Sequence, residues 1–243
     1  MRFTWLRDSA LTLHSLLLLG FTHEAEAFGE WLLARLQEWG EDDGPLQPMY
    51  TIHGGRDMPE TELDHLEGYR RSGPVRVGNG AYQQQQLDVY GELLDAVWVV
   101  QRRRGIHYRG WLYVQHLTDW LRPHWQAPAE GIWEVRGGQK EFVHSGLMCW
   151  VAFDRAIRIA AAQGLPASIK EWTSNRDAIY DEIMEKGWND ELESFIQYYG
   201  SDAVDASALL MSLTGFTAGA DPRMAATIDR IQHELMHEPH VYR

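Results

Sequence analysis

The stretch from Phe142 to Gly164, FVHSGLMCWVAFDRAIRIAAAQG, decides the fold class of this chain. Its apolar residues recur three and four positions apart, which is the spacing of one face of an α-helix. Gly164 follows the last periodic residue, and glycine commonly terminates helices because it reaches the left-handed conformation. The pattern predicts a helix over residues 143–163.

The same periodicity appears in seven further segments, near residues 8–20, 24–39, 83–103, 108–121, 168–186, 204–213 and 221–236. Thr22 precedes a glutamate-rich first turn and Asp221-Pro222 opens the last segment, as is typical of helix N-termini. Short connections indicate that successive helices pack as antiparallel hairpins. Strand-like alternation is scarce, so the chain is predicted to be all-α.

Residues 41–82 interrupt this rhythm with a long connection that contains no convincing helix. A loop of that length inside a compact domain is usually functional or disordered. Disorder is a poor match because the segment is rich in apolar residues: Leu46, Met49, Tyr50, Ile52, Leu63, Leu66, Tyr69 and Val77. An ordered loop over one end of a helical array is expected.

The composition is that of a globular protein of one large or two small domains, with 243 residues and a net charge of −13. This acidic balance argues against a nucleic-acid partner, which would require clustered Lys and Arg. The basic run Arg102 to Arg104 is interpreted as the C-terminus of a helix. Cys149 is the only cysteine, and its apolar neighbours predict a buried thiol rather than a nucleophile.

The first 27 residues imitate a signal peptide, but Asp8 and His14 interrupt the apolar part and the helical spacing favours a helix of the mature protein. No apolar run reaches the roughly 18–20 residues of a membrane helix. We therefore expect a soluble cytoplasmic protein with no membrane partner, although secretion of the parent protein stays open.

Aromatic residues are abundant, with 11 Trp, 10 Tyr and 7 Phe. Many lie beside glycine or charged residues in the connections: Trp5, Tyr50, Tyr82, Trp133, Trp188, Tyr198 and Tyr199. Any single one can be explained as a loop anchor. As a set they suit a sugar, whose ring has an apolar face and polar edges.

The segment QHELMHEP contains the H-E-x-x-H string, from His233 to His237, that binds zinc when both histidines share a helix face. Pro239 ends the helix almost at once, and few residues follow that can supply a third ligand. An exposed helix end is the preferred interpretation, and no metal or other cofactor is predicted.

Two further stretches can carry chemistry. In WLRDSALTL, Asp8 precedes a helix predicted to begin near Ser9, so it can cap that helix or, with Arg7, bind vicinal hydroxyls. In EGIWEVRGGQKEF, Glu134 lies beside Trp133 between glycines that break helical periodicity. An indole neighbour raises the pKa of a carboxyl group, which would suit a general acid. An ordinary surface glutamate is the alternative.

These stretches resemble, in order, bacterial and archaeal members of glycoside hydrolase family 15. The resemblance rests on FTWLRDSALTLHSLLLLGF, the segment PLQPMYTIHGGRDMPETELDHLEGYRRSGPVRVGNGAYQQQQLDVYGELLDAV, GIWEVRGGQKEFVHSGLMCWVAFDRA and FIQYYGSDAVDASALLM. It implies an (α/α)6 toroid with a cup-shaped active site at one end. It also implies inverting hydrolysis of α-glucosidic bonds, in which one carboxyl group protonates the leaving oxygen and another activates water.

The resemblance also implies roles for individual residues. Glu134 matches the general acid and Trp133 the aromatic residue beside it. Arg7 and Asp8 match the pair that binds the hydroxyls of the terminal glucose, and Trp5 matches a wall of that pocket. Three more residues fall in motifs that face the cup: Tyr50, Asn79 and His144.

The family's general base belongs to a motif that this sequence does not contain, and Asp202 and Asp205 are weak substitutes. With about eight of twelve expected helices, residues 1–243 are predicted to be a partial catalytic toroid, without the β-rich N-terminal domain and the C-terminal helices of relatives. The expected substrate is an α-glucan or α-oligoglucoside, as in glucoamylase. The alternatives are trehalase activity and a non-catalytic carbohydrate-binding fragment.

Overall fold

The structure, a computed structural model, describes residues 3–38 and 45–242. Over these ranges the chain is all-α, as predicted, with eight α-helices: α1 Leu6–Leu19, α2 Thr22–Glu38, α3 Asp88–Arg104, α4 Tyr108–Leu121, α5 Val143–Gln163, α6 Ile169–Lys186, α7 Leu210–Thr214 and α8 Pro222–Leu235. The helix predicted over residues 143–163 is confirmed at both ends.

Short antiparallel strand pairs join these helices. The pairs are β1 Phe3–Trp5 with β2 Met49–Thr51, β3 Thr61–Glu62 with β4 Arg76–Val77, β5 Trp188–Asn189 with β6 Ser194–Phe195, and β7 Met236–His237 with β8 His240–Val241. Each strand has only two or three residues, which explains why sequence alternation did not reveal them. They fasten connections and do not form a layer of their own.

Local signals in the sequence explain several helix ends. Asp221 caps α8 by accepting a hydrogen bond from the backbone N–H of Arg223 at 2.9 Å, and Pro222 occupies the first turn. Gly164 ends α5 in the left-handed conformation, with φ +63°. The basic run from Arg102 lies at the C-terminus of α3, as predicted.

The helices form two layers. Helices α1, α3 and α5 pack side by side, and α2, α4 and α6 each pack against the preceding odd-numbered helix. Helix α5 is buried along most of its length, whereas α6 buries only Trp172, Ile179 and Ile183. The odd-numbered helices therefore form the inner layer, and each helical hairpin places one helix in each layer.

A glycine sets the spacing inside the inner layer. A Cβ atom on Gly91 of α3 would lie 2.1 Å from the backbone oxygen of Met148 on α5. The two helices cross at a distance that excludes any side chain at that position. As a result the first turns of α3 and α5 lie close together, and this end of the inner layer carries the candidate site.

The long connection is ordered in its described part, residues 45–82, as predicted. Leu46, Met49, Tyr50 and Met58 are buried, and the strand pair β1–β2 fixes the connection to the start of α1. Residues 41–44 lie outside the described ranges. Within the described residues, no helix is both long and apolar enough to cross a membrane.

Candidate active site

The loop between α4 and α5 carries Glu134. Reciprocal backbone hydrogen bonds between Ala129 and Lys140, of 3.1 and 2.9 Å, close the base of this loop. The backbone of Glu134 has φ +51°, a conformation that residues with a Cβ rarely adopt. Strain of this kind is concentrated at functional sites, where the surrounding structure holds it in place.

Three donors converge on one oxygen of the Glu134 carboxylate. The indole Nε1 of Trp5 donates to Oε1 at 2.8 Å, and Arg7 and Gln86 each donate to it at 3.3 Å. The Glu134 side chain is 20% exposed. The carboxyl group is therefore held in one orientation by fixed donors while still reaching solvent.

Arg7 links Glu134 to a carboxylate buried beneath it. One guanidinium nitrogen donates to Asp88 at 2.7 Å and to Gln86 at 3.0 Å, and the other donates to Glu134. Burial acts to lower the pKa of Arg7, but the Asp88 and Glu134 carboxylates raise it overall, so the side chain stays a cation. Since Arg7 lies on α1 and Asp88 opens α3, the contact joins the first turns of two inner helices.

Trp133 is anchored by Asp205. Its Nε1 donates to Asp205 at 2.8 Å, and Gln197 donates to the same oxygen at 3.0 Å. The other Asp205 oxygen accepts from the backbone of Ser207 and caps the 3₁₀ helix Ala206–Leu209 that precedes α7. The indole that bonds to Glu134 thus belongs to Trp5, and Trp133 fixes the loop to the start of the next inner segment.

A pocket of about 90 Å³ opens beside this loop. Trp133 and Val135, the two neighbours of Glu134 in sequence, contribute to its wall, and Tyr198 forms another part. The Lys140 ammonium lies 3.7 Å from the centre of the Tyr198 ring. The pocket therefore combines aromatic faces with a cation and an amide, that of Gln197.

The remaining predicted site residues differ in how far they are buried. Tyr50 and His144 are buried, at 2% and 4% exposure, and Asn79 caps the 3₁₀ helix Gly80–Gln83 by accepting from the Ala81 backbone. Asp8 is exposed within the first turn of α1. The expectation that Asp8 caps this helix is wrong, because α1 begins at Leu6 and Trp5 occupies the cap position without a side-chain bond.

Two buried groups near Asp88 have altered protonation. Burial lowers the pKa of His144, and among the described residues neither of its ring nitrogens has a hydrogen-bond partner. Burial also raises the pKa of Glu92 to about 8, and the neighbouring Asp88 carboxylate adds to the shift. Burial therefore favours the neutral forms of both side chains near the Arg7–Asp88 pair.

Sequence reasoning missed Gln86 and Asp88 and treated Asp205 only as a weak candidate for the base. In the sequence, QQQQLD simply precedes a helical segment, where an acidic residue is expected to stabilise the helix dipole. Only the packing of α1 against α3 shows that these side chains face Arg7. Asp205 accepts three hydrogen bonds, and Asp202 is exposed.

The two histidines of the H-E-x-x-H string do not lie on one helix, so they do not form the zinc-binding pair that the string suggests. Helix α8 ends at Leu235, so His233 lies on the helix while His237 lies in β7. No group of three or more His, Cys, Asp or Glu side chains in the described part of the chain is arranged to hold a metal ion. The early helix end follows from the hairpin that Pro239 turns.

A family model and curated relatives match almost the whole chain. The model of "Glycosyl hydrolases family 15" matches residues 1–242. The chain is 37% identical over 243 residues to a trehalase of Thermoplasma acidophilum and 39% identical to a trehalase of Mycolicibacterium smegmatis. It spans 41% and 36% of the lengths of these two relatives.

Solved structures support the fold. A wild-type glycosidase superposes with a TM-score of 0.78 at 20% identity, covering 99% of this chain and 63% of that one. A bacterial glucoamylase complexed with acarbose gives a TM-score of 0.70 at 14% identity, covering 96% of this chain and 33% of that one. The two helical layers are thus part of an (α/α)6 toroid. With a family model matched from residue 1 to residue 242 and trehalases at 37% and 39% identity, the chain belongs to glycoside hydrolase family 15.

Proposed function

We propose that this protein hydrolyses the α-glucosidic bond of trehalose, with Glu134 as the proton donor. The observation that carries the proposal is the convergence of Trp5, Arg7 and Gln86 on a single oxygen of a partly exposed glutamate. A general acid must lie within hydrogen-bonding reach of the atom that it protonates, and the three fixed donors hold the Glu134 carboxyl group in one place. The curated relatives, which are named trehalases, favour trehalose over the α-glucan expected from the sequence.

The two oxygens of Glu134 have different tasks in this proposal. Oε1 is the acceptor for all three donors, and within the described residues no donor bonds to Oε2. Oε2 is therefore the oxygen that carries the proton. It delivers the proton to the glycosidic oxygen as the bond to the leaving glucose breaks, which spares that sugar from leaving as an alkoxide.

Binding of the terminal glucose falls to the residues around the start of α1. Trp5 provides an apolar wall, and the exposed Asp8 carboxylate accepts hydrogen bonds from hydroxyls. Arg7 has donors left for a sugar hydroxyl, since a guanidinium has five N–H groups and the structure uses only part of them. We propose that Tyr50 and His144, which are buried, and Asn79, which caps the 3₁₀ helix Gly80–Gln83, support the binding of this glucose.

The leaving glucose occupies the pocket beside Trp133 and Val135. These residues flank Glu134 in sequence. The aromatic rings of Trp133 and Tyr198 suit the apolar face of a sugar, and Lys140 and Gln197 suit its hydroxyls.

Inversion requires a second carboxyl group, roughly 6.5–9.5 Å from the first, to activate water. Asp205 is a poor base because all three of its hydrogen bonds would compete with a water molecule. We propose that the base is supplied by a part of the family's catalytic domain beyond these 243 residues, and that residues 1–243 are a partial domain.

A direct test uses the complete catalytic domain, with trehalose, maltotriose and isomaltotriose as substrates, and follows the products by proton NMR before they mutarotate. Inverting hydrolysis of trehalose releases one β-glucose and one α-glucose, because only the attacked sugar changes configuration. Two α-glucose molecules would contradict inversion. Faster cleavage of maltotriose would favour the glucoamylase-like function, and sugar binding without any glucose release would favour a non-catalytic carbohydrate-binding protein.

A further inference from the structure

Asp88 is a buried carboxylate that does not itself face the proposed sugar pocket. It is the first residue of α3, its side chain is fully buried, and its Oδ2 accepts from Arg7 at 2.7 Å. Within the described part of the chain its other oxygen, Oδ1, has no hydrogen-bond partner. A buried carboxylate is costly unless it is paired, and Arg7 is the cation that pairs with Asp88.

Arg7 in turn stands between two carboxylates. Its first guanidinium nitrogen contacts Asp88, and its second lies 3.3 Å from Oε1 of Glu134. A cation at that distance favours an ionised carboxylate, which is the wrong state for a proton donor. The negative charge of Asp88 offsets this effect because it neutralises the same guanidinium from the other side.

We propose that Asp88 is the positioning residue of the active site, which fixes the Arg7 guanidinium against Glu134 and offsets the charge of that guanidinium. The proposal rests on the role of Glu134 given above. Asp88 acts on Glu134 through Arg7 and does not itself contact the substrate.

Other titratable groups near Asp88 do not replace it. The other titratable groups around the Arg7–Asp88 pair are Asp8 on α1, Glu92 on α3, and His144 and Cys149 on α5. Burial raises the pKa of Glu92 to about 8 and also raises that of Cys149, while it lowers that of His144. Burial thus favours the uncharged form of all three, and Asp88 is the buried anion that opposes Arg7.

The test reads the protonation of Glu134 without any substrate. The indole N–H of Trp5 bonds directly to Glu134, so its NMR signal reports the titration of that carboxyl group. The signal is assigned with Trp5→Phe, and Glu134→Gln must abolish its titration. In Asp88→Asn, which keeps an acceptor for Arg7 but removes the charge, we expect the titration midpoint to fall by about one pH unit.

The matched control is Asp95→Asn. Asp95 lies two turns along α3 and bonds to Arg155 at 2.6 Å, away from Arg7. The midpoint should stay at the wild-type value in this variant. An unchanged midpoint in folded Asp88→Asn would overturn the proposal, and so would an equal fall in Asp95→Asn.

A second variant keeps the proposal testable if Asp88→Asn does not fold. Replacing both charges, in Arg7→Gln with Asp88→Asn, removes the buried ion pair, a change that proteins often tolerate. Because Arg7 contacts Glu134 directly and Asp88 does not, Asp88 offsets the cation only in part. The midpoint should therefore rise above the wild-type value, and an unchanged or lower midpoint would overturn the proposal. The NMR titrations need no sugar. The Asp88 proposal can therefore fail or succeed whether or not the protein hydrolyses trehalose.

Discussion

At the scale of single residues, the site combines a strained backbone with fixed donors. Glu134 holds φ +51°, and its carboxylate receives hydrogen bonds from residues that are 127, 129 and 48 positions away in sequence. A side chain held this way loses little further freedom when a sugar binds. The sequence indicated Glu134 through its glycine-flanked loop, but it gave no sign that Trp5, and not Trp133, supplies the contacting indole.

Glu92 gives a prediction for stability as a function of pH. Its pKa in the folded protein is about 8, against an ordinary value of 4.5, because burial disfavours the charged form. Folding therefore becomes less favourable as pH rises from about 4.5 to about 8, where the unfolded chain is ionised and the folded one is not. We expect Glu92→Gln to be more stable than the wild type at pH 7, by at most about 3 kcal/mol.

Urea unfolding of the wild type and of Glu92→Gln at pH 4 and at pH 7 checks this prediction of stability. The two proteins should differ little at pH 4, where Glu92 is protonated in both states, and the gap should open as the pH rises. A gap that is the same at both values would mean that the substitution acts through packing and not through the charge of Glu92.

At the scale of elements, sequence periodicity predicted the helices well because they are long and amphipathic. Two helix starts were predicted wrongly, and in both cases a tertiary contact sets the true start of the helix. The helix predicted from residue 83 begins at Asp88, since Gly80–Gln83 forms a 3₁₀ helix and the Gln85 backbone N–H bonds to Glu130 at 2.9 Å. The segment predicted from residue 204 begins as a 3₁₀ helix because Asp205 caps it while also holding Trp133.

The crossing of α3 and α5 depends on Gly91. A Cβ atom there would lie 2.1 Å from the Met148 carbonyl oxygen, and a backbone atom cannot move aside without shifting α5. We expect Gly91→Ala to destabilise the protein by about 1–3 kcal/mol, as overpacking does. Since the first turns of α3 and α5 position Asp88 and His144, sugar binding should weaken as well.

The control is Gly29→Ala on α2. Its added Cβ would meet only a side-chain carbon of Leu13, at 3.8 Å, and alanine has the higher helix propensity. Its thermal midpoint should equal or exceed that of the wild type. If Gly91→Ala behaved in the same way, the close crossing of the two inner helices would not be a constraint.

At the scale of the whole molecule, the inner helices α1, α3 and α5 bring separate motifs to one end. Arg7 and Asp88 are 81 positions apart in sequence, and no periodicity shows that they meet. The resemblance to glycoside hydrolase family 15 supplied the toroid and the candidate residues, whereas the contacts among them came from the packing. Leu11 and Leu18 lie on one face of α1 and are 56% and 73% exposed. This apolar face supports our proposal that the eight helices are part of a larger ring.

The central claim is that Glu134 donates the proton, and glucose release from trehalose tests it most directly. The wild type is compared with Glu134→Gln and with Glu141→Gln, which changes an exposed glutamate near the end of the same loop, each shown to be folded by circular dichroism and thermal unfolding. We predict that Glu134→Gln lowers kcat by about 10²–10⁴-fold, the usual contribution of a general acid, and that Glu141→Gln retains the wild-type rate. All three proteins contain the complete catalytic domain, because residues 1–243 are proposed to lack the base. A folded Glu134→Gln variant that releases glucose at the wild-type rate, or a complete wild type that releases none, would contradict the account.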